Sequence, residues 1–238
     1  MAQITSQLVR QLRLRTGATL SDCRTALEQT AGDLERAARL IQSLAAESET
    51  AEDDESTSFR NQFLIAMPSL EDENFSHTVS LLCEHNDEGA IALVINRPTE
   101  LRLSDMMEQM KLEHEALNDE EIVYWGGPVQ PERGFVIHRQ PGGWESCMEV
   151  DEGLFITTSR DILRAIGKGS GPKEFVVVLG YAGWGAGQLE TEIMHNAWLN
   201  CAVDRQILFG TPARDRWQAA TRLLGIDPTQ LGGEAGHA

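Results

Sequence analysis

The sequence predicts two modules of different class: a small all-α three-helix bundle over residues 1–45 and an α/β or α+β domain with a mixed sheet over 60–238. Three observations predict this. Residues 47 to 55 carry six acidic side chains and no basic or bulky apolar one. Such a run buries nothing and repels itself, so 46–59 reads as an acidic flexible linker. Before it, apolar residues recur at helical spacing; after it, short apolar runs with strand character mix with helical periods without strict βα alternation.

In the first module, Thr5 stands as an N-cap before the stripe Leu8, Val9 and Leu12, and Gly17 stops that helix. A second helix behind Ser21 turns Cys23, Ala26 and Leu27 to one side. A third follows Gly32 with Asp33 as its cap and places Leu34, Ala37, Ala38, Ile41 and Leu44 on one face. In the second module the runs predict strands over 63–67, 79–83, 91–95, 122–125, 135–138, 154–157, 175–179 and 207–209. Helical periods predict helices over 104–112, 159–166, 187–194 and 213–224, with Ser104 and Ser159 as N-caps.

Charge narrows the partners. The formal net charge is −17. Residues 1–45 hold six Arg against four acids, a net of +2, and the linker contributes −6, which leaves −13 for everything after it. A surface that negative repels phosphate backbones, and no Lys or Arg cluster offsets it, so no direct nucleic-acid binding is expected. Cys23, Cys83, Cys147 and Cys201 lie far apart with no CxxC pair, which suits a reducing cytosol. The start carries no signal-peptide core, and no stretch approaches the roughly 20 apolar residues that span a bilayer, so a cytoplasmic protein without membrane contact is expected. Neither His-Glu-x-x-His nor paired CxxC spacing occurs, so no metal and no cofactor is expected.

Three side-chain groups can carry chemistry or binding. Cys83 and His85 sit at i and i+2 near a strand end, which puts both on one face; thiol and imidazole there form a candidate nucleophile pair, with Asn96 from the next strand to orient the base. The bland counterpart is a buried thiol near a hydrogen-bonded His, and it weighs more. The strand 176–179 runs into glycines 180, 183, 185 and 187 and a helix near Gln188. Backbone N–H groups there suit an anion, with Gly183, Trp184, Gly185, Gly187 and Gln188 as binding residues. However, the Lys-Ser/Thr of a phosphate loop is missing, and a tight turn that lets Trp184 into the core weighs more. Arg97, in the Asn96-Arg97-Pro98 that ends a strand, can hold a carboxylate or phosphate, or simply pair with a nearby acid.

Two resemblances add to this reading. Arg15-Thr-Gly-Ala-Thr-Leu-Ser-Asp-Cys-Arg-Thr-Ala-Leu27, with Gly32-Asp33 and an Ala-rich third helix, resembles the N-terminal segment of bacterial elongation factor Ts. Thr19 replaces that family's second glycine and Leu20-Ser21 its Met-Met pair. The resemblance implies a UBA-like bundle in which Thr16, Gly17, Ala18, Thr19, Leu20 and Asp22 dock a protein partner, either elongation factor Tu or another protein. Because the exchange region of that family has no counterpart here, it implies docking without nucleotide exchange.

Phe63–Leu70, Cys83-Glu-His85, Val94–Pro98, Gly126–Val129, Arg133–His138 and Gly180–Glu190, in this order, resemble the YqgE/AlgH family over nearly all of residues 60–238. That resemblance implies a mixed-sheet α/β sandwich-like fold and carries the loose label of a transcriptional regulator. Together these readings describe a regulatory, non-catalytic adaptor, with a small-ligand-binding or thiol-dependent enzyme as the alternative.

Overall fold

A computed structural model of the chain describes residues 58–226, apart from 71 and 119, together with Leu8, Leu12, 25–27, 29–30, 33–34 and 36–40. The chain divides into two compact units, 1–58 and 59–238. In the first, Leu12, Ala26, Leu27, Ala37 and Ala38 are buried together, with Leu8, Leu34 and Leu40 packed against them. Asp33 accepts the Arg36 N–H through its carboxylate (3.1 Å), which is N-cap geometry. The expected docking residues Thr16, Gly17, Ala18, Thr19, Leu20 and Asp22 lie outside the described residues, as do Ile41 and Leu44.

The second unit is built on one ten-stranded mixed sheet. Its strands are β1 (Gln62–Ala66), β2 (Val79–Asn86), β3 (Gly89–Val94), β4 (Pro98–Arg102), β5 (Ile122–Trp125), β6 (Val129–His138), β7 (Cys147–Asp151), β8 (Leu154–Thr157), β9 (Phe175–Gly185) and β10 (Trp198–Ala202). The path runs β10-β1-β2-β3-β9-β6-β8-β7, with β5 added to β9 and β4 to β5. Every described pairing is antiparallel except β5 with β9. Four α-helices cover it: α1 (Leu103–Gln109), α2 (Arg160–Gly167), α3 (Gln188–Met194) and α4 (Ala213–Leu223).

Alternation along the strands sorts the side chains onto two faces. Phe63, Ile65, Leu81, Leu93, Phe135, Ile137, Ile156, Val176 and Val178 meet in one inner cluster, closed by Ile207, Leu208 and Trp217. Residues of β1 and β8 share this cluster although several strands separate them, so the sheet curls around it as a half-barrel. The outer face carries two smaller clusters. Leu64, Leu82, Ala92, Ala182, Trp184 and Trp198 pack with Leu189 of α3, while Val123, Val136 and Val177 pack under α1 and α2.

Strand β9 makes the curl possible by serving both halves of the sheet. It pairs with β6 from Phe175 through Tyr181, and it also pairs with β5 at Val178 and Leu179 and with β3 from Ala182 on. The change occurs at Gly180 (φ 75°), against which Gly126 and Gly127 (φ 152°) pass at backbone distance. A Cβ on Gly126 would collide with the Gly180 carbonyl, one on Gly127 with Tyr181, and one on Gly180 with the Gly127 carbonyl. Gly126 N–H donates to Leu179 O (2.7 Å) while its carbonyl accepts from Val94 N–H (2.9 Å), so this residue joins β9 to β3.

Several expected elements change. The run 207–209 is part of a π-helical turn, Gln206–Gly210, whose Ile207 and Leu208 plug the inner cluster rather than extend the sheet. Strands β4, β7 and β10 were not expected: β4 and β7 are mostly exposed or half-buried and give no apolar run, and β10 is short with Asn200 at its centre. Glycines 180, 183 and 185 belong to β9 rather than to a loop. Helix α1 starts behind Arg102, which places Ser104 inside the first turn; Ser159 does precede α2, yet its hydroxyl donates to Asp161 (2.5 Å).

Gly127→Ala tests the crossing. A methyl group there combines a disfavoured φ with a backbone collision, so unfolding in urea should show a loss of about 3 kcal/mol or more. A loss within about 0.5 kcal/mol, the range of a neutral surface change, would show that the crossing can relax.

Candidate functional site

The inner face opens into a trough beyond its packed part. One cavity of about 390 Å³ is lined by Cys83, Ile91, Leu93, Phe135, Ile156 and Tyr181, with Arg133, Cys147 and Met148 among its other walls. A second, of about 460 Å³, continues past Gly183 and Gly185 and shares Glu84, Ile91 and Tyr181 with the first. The shared residues make the two one trough. The Arg133 guanidinium lies over the Phe135 ring, 5.2 Å from its centre. A further cavity of about 360 Å³ lies beside α1 and α2, with Met106, Met110 and Leu163 in its wall.

A β-bulge shapes the trough and separates the expected nucleophile pair. Leu82 pairs with Ala92 but Glu84 pairs with Ile91, so Cys83 is the extra residue. Cys83 and Glu84 therefore both line the inner cavity, whereas Leu82 and His85 look outward. The spacing that put Cys83 and His85 on one face holds only for an unbulged strand. Cys83 is buried, its thiol donates to Leu81 O (3.2 Å), and burial pushes its pKa far up, beyond any useful thiolate range.

His85 is held on the outer side. Its Nδ1 accepts the Phe59 N–H (3.0 Å), which leaves Nε2–H to donate to Glu190 of α3 (2.7 Å). Glu190 lies below the usual carboxylate range because its own backbone N–H and the His85 ring both stabilise the anion. Asn96 is not beside this His. It accepts Val79 N–H (2.8 Å) and donates to His77 O (2.9 Å), at the opposite end of β2, about 20 Å from His85 at strand spacing. Arg97 donates to Ser76 O (2.8 Å) and clasps the loop before β2.

The glycine-rich segment is also partly structural. Trp184 turns outward into the cluster under α3, and its indole N–H reaches Glu192 Oε2 (2.9 Å). Trp198 donates to the same oxygen (2.8 Å), and Gln188 donates to the other (2.9 Å). Gln188 in turn accepts the Gly185 N–H (3.1 Å). Gly187, at φ 70°, precedes α3, a helix that does start at Gln188 as its period predicts. Gly183 and Gly185 line the trough instead. The sequence carried no signal for Glu84, Arg133, Phe135 and Tyr181 as trough residues, because their meeting depends on the bulge and the curl. Among the described residues, no group of three or more His, Cys, Asp or Glu side chains is placed to hold a metal ion. None of the described helices is long and apolar enough to cross a membrane.

A second thiol and imidazole meet at the edge of the sheet. Cys147 Sγ lies 4.0 Å from Nε2 of His138, a fully buried ring stacked on Phe155. Nδ1–H of His138 donates to Gln140 O (2.9 Å), so Nε2 is the acceptor and takes the Thr157 hydroxyl (2.9 Å). Burial lowers the pKa of this ring, partly opposed by the Gln140 carbonyl. A ring held neutral in this way is a poor partner for a thiolate.

Comparison with known proteins places this architecture. The profile of the AlgH-like family matches residues 63–229. A UPF0301 protein of Thioalkalivibrio sulfidiphilus is 55% identical over 183 residues, which cover 77% of this chain and 98% of the relative. A UPF0301 protein of Ralstonia nicotianae is 54% identical over 180 residues, covering 75% and 94%. The solution structure of the AlgH protein from Pseudomonas aeruginosa superposes with a TM-score of 0.63 at 46% identity, over 76% of this chain and 97% of that one. A crystal structure from Corynebacterium diphtheriae has the same fold at 17% identity, with a TM-score of 0.59. The family match starts at residue 63, so the resemblance to elongation factor Ts lies outside it.

The buried His138 makes stability depend on pH. Its folded pKa is lowered, so below about 6.5 the unfolded chain binds a proton that the folded ring refuses, and stability falls as pH falls. Urea unfolding between about pH 7.5 and 5.5 should show this decline, and His138→Gln should flatten it. An unchanged slope in the variant would assign the decline to other groups.

Proposed function

The chain belongs to the AlgH-like (UPF0301) family, and on that footing we propose that it is a non-catalytic regulatory adaptor whose large domain works by holding a ligand in the inner trough. The observation that carries this is the joining of the two cavities through Glu84, Ile91 and Tyr181, which leaves an apolar site open at the end of an otherwise filled half-barrel. Apolar walls with a few polar groups at the rim are what a binding pocket needs. The reading that Cys83 and His85 act as a catalytic pair loses support, since the bulge sets them on opposite faces. Any effect on transcription passes, in this proposal, through a protein, because the domain's charge opposes DNA.

The N-terminal module is the second contact element of the proposal. Its motif Arg15–Leu27 supports elongation factor Tu as the partner, engaged without nucleotide exchange.

Two measurements check these halves. The anionic fluorophore anilinonaphthalene sulfonate should bind the folded protein saturably through the cavity, and Ile91→Phe should weaken it roughly tenfold, about 1.4 kcal/mol, without lowering the melting temperature. No saturable binding would sink the trough reading. The full chain should bind elongation factor Tu and leave GDP release from it unchanged; no binding at about 100 μM, or accelerated release, would end that assignment.

A further inference from the structure

The glycine run of β9 contains two residues that the fold does not require. Gly180 and Gly187 have positive φ, and Gly180 is also pressed against another backbone. Gly183 and Gly185 are different. Neither has a positive φ, and an added Cβ would make ordinary contacts, with the Tyr181 ring at 3.5 Å and Val129 Cγ2 at 4.0 Å in the first case and with Gln188 Oε1 at 3.9 Å in the second. A Cβ is accommodated at both positions, and glycine weakens a strand. Both are exposed, lie two apart, and so face the same way, onto the floor of the trough.

We infer that these glycines keep the floor bare for the main chain of an extended peptide segment of a protein partner, one with basic side chains at one end and an apolar anchor at the other. The inference rests on the trough being the binding site. A glycine strand is where another backbone can approach closely. Glu84 and Glu88 border the glycine end, both are exposed, and neither forms an ion pair among the described residues. The cavity beside Phe135, Ile156 and Leu93 receives the apolar anchor. Arg133 at that cavity repels positive charge, so the basic residues belong at the glycine end only. The domain's net charge, −13 after the linker, steers such a segment inward.

The probes are two fluorescein-labelled peptides about eight residues long, enough to cross the trough when extended. Each carries Leu and Phe at one end; one has Lys at the other end and its counterpart has Glu. At about 0.15 M salt, where loose charge attraction is screened, the Lys peptide should bind the full chain and the Glu peptide should bind at least about tenfold more weakly. Gly183→Val with Gly185→Val should weaken the Lys peptide by about tenfold or more while the melting temperature holds or rises. Gly183→Ala serves as the milder variant should the valines impair folding. Equal binding of both peptides, unchanged binding by the valine or alanine variant, or a fall in melting temperature with Gly183→Ala would each overturn the inference. Saturable fluorophore binding without any peptide binding would overturn it too, while leaving the trough to a small apolar ligand. Loss of both would remove the trough reading itself.

Discussion

The crossing of Gly126 and Gly127 over Gly180 is the contact on which the rest of the large domain depends. Two strands can share β9 only if one of them leaves its edge where the other arrives. That exchange needs a turn in β9 and a neighbour that passes at backbone distance. Side chains at these positions would hold the segments apart and break the pair of hydrogen bonds through which Gly126 ties β9 to β3. With the crossing in place the sheet folds back on itself, and apolar residues from β1 to β8 meet in one inner cluster. The curl follows from three missing Cβ atoms as much as from apolar burial.

Polar pins then fasten the covering helices. Glu192 accepts both indole N–H groups and the exposed Gln188 amide, so one carboxylate satisfies two indole donors that would otherwise be costly to bury. His85 does the same between the Phe59 backbone and Glu190. On the inner side, Arg216 of α4 is buried without an ion pair among the described residues. Its guanidinium donates to Ile95 O and to Thr211 O (2.9 Å) and lies 5.2 Å from the Tyr124 ring centre. Desolvation lowers its pKa, a measure of how costly that burial is. Trp217 beside it donates to Ala66 O (2.9 Å), so α4 is fastened to β1 and to the end of β3 by donors whose acceptors are main-chain carbonyls.

These pins bear on function by elimination. Most residues that looked chemically capable are engaged in architectural hydrogen bonds: His85, Asn96, Arg97, Trp184 and Gln188. Among the described residues, what stays open is the part of the inner face that no helix covers. The residues there, Glu84, Ile91, Tyr181 and the glycines 183 and 185, are ordinary types whose importance lies in their arrangement. Such an arrangement can recognise shape and charge.

How much could be read beforehand depended on whether a signal was local. The helical periods of 159–166, 187–194 and 213–224 announced α2, α3 and α4, because apolar spacing along a helix is a property of its own residues. The ordered motifs from Phe63 to Glu190 were enough to identify the family. Strands β4, β7 and β10 escaped notice because partly exposed edge or near-edge strands are held by main-chain bonds that leave no apolar pattern. The triplet 207–209 is apolar in either geometry, and only its position at the mouth of the inner cluster made it a helical turn. The side of the sheet that Glu84 and His85 face was decided by one unpaired residue, Cys83, which reverses every later side chain of the strand. Composition and family thus belonged to the sequence by itself. The trough belonged to the tertiary structure, since it exists only where a bulge, a crossing of glycines and a curled sheet coincide.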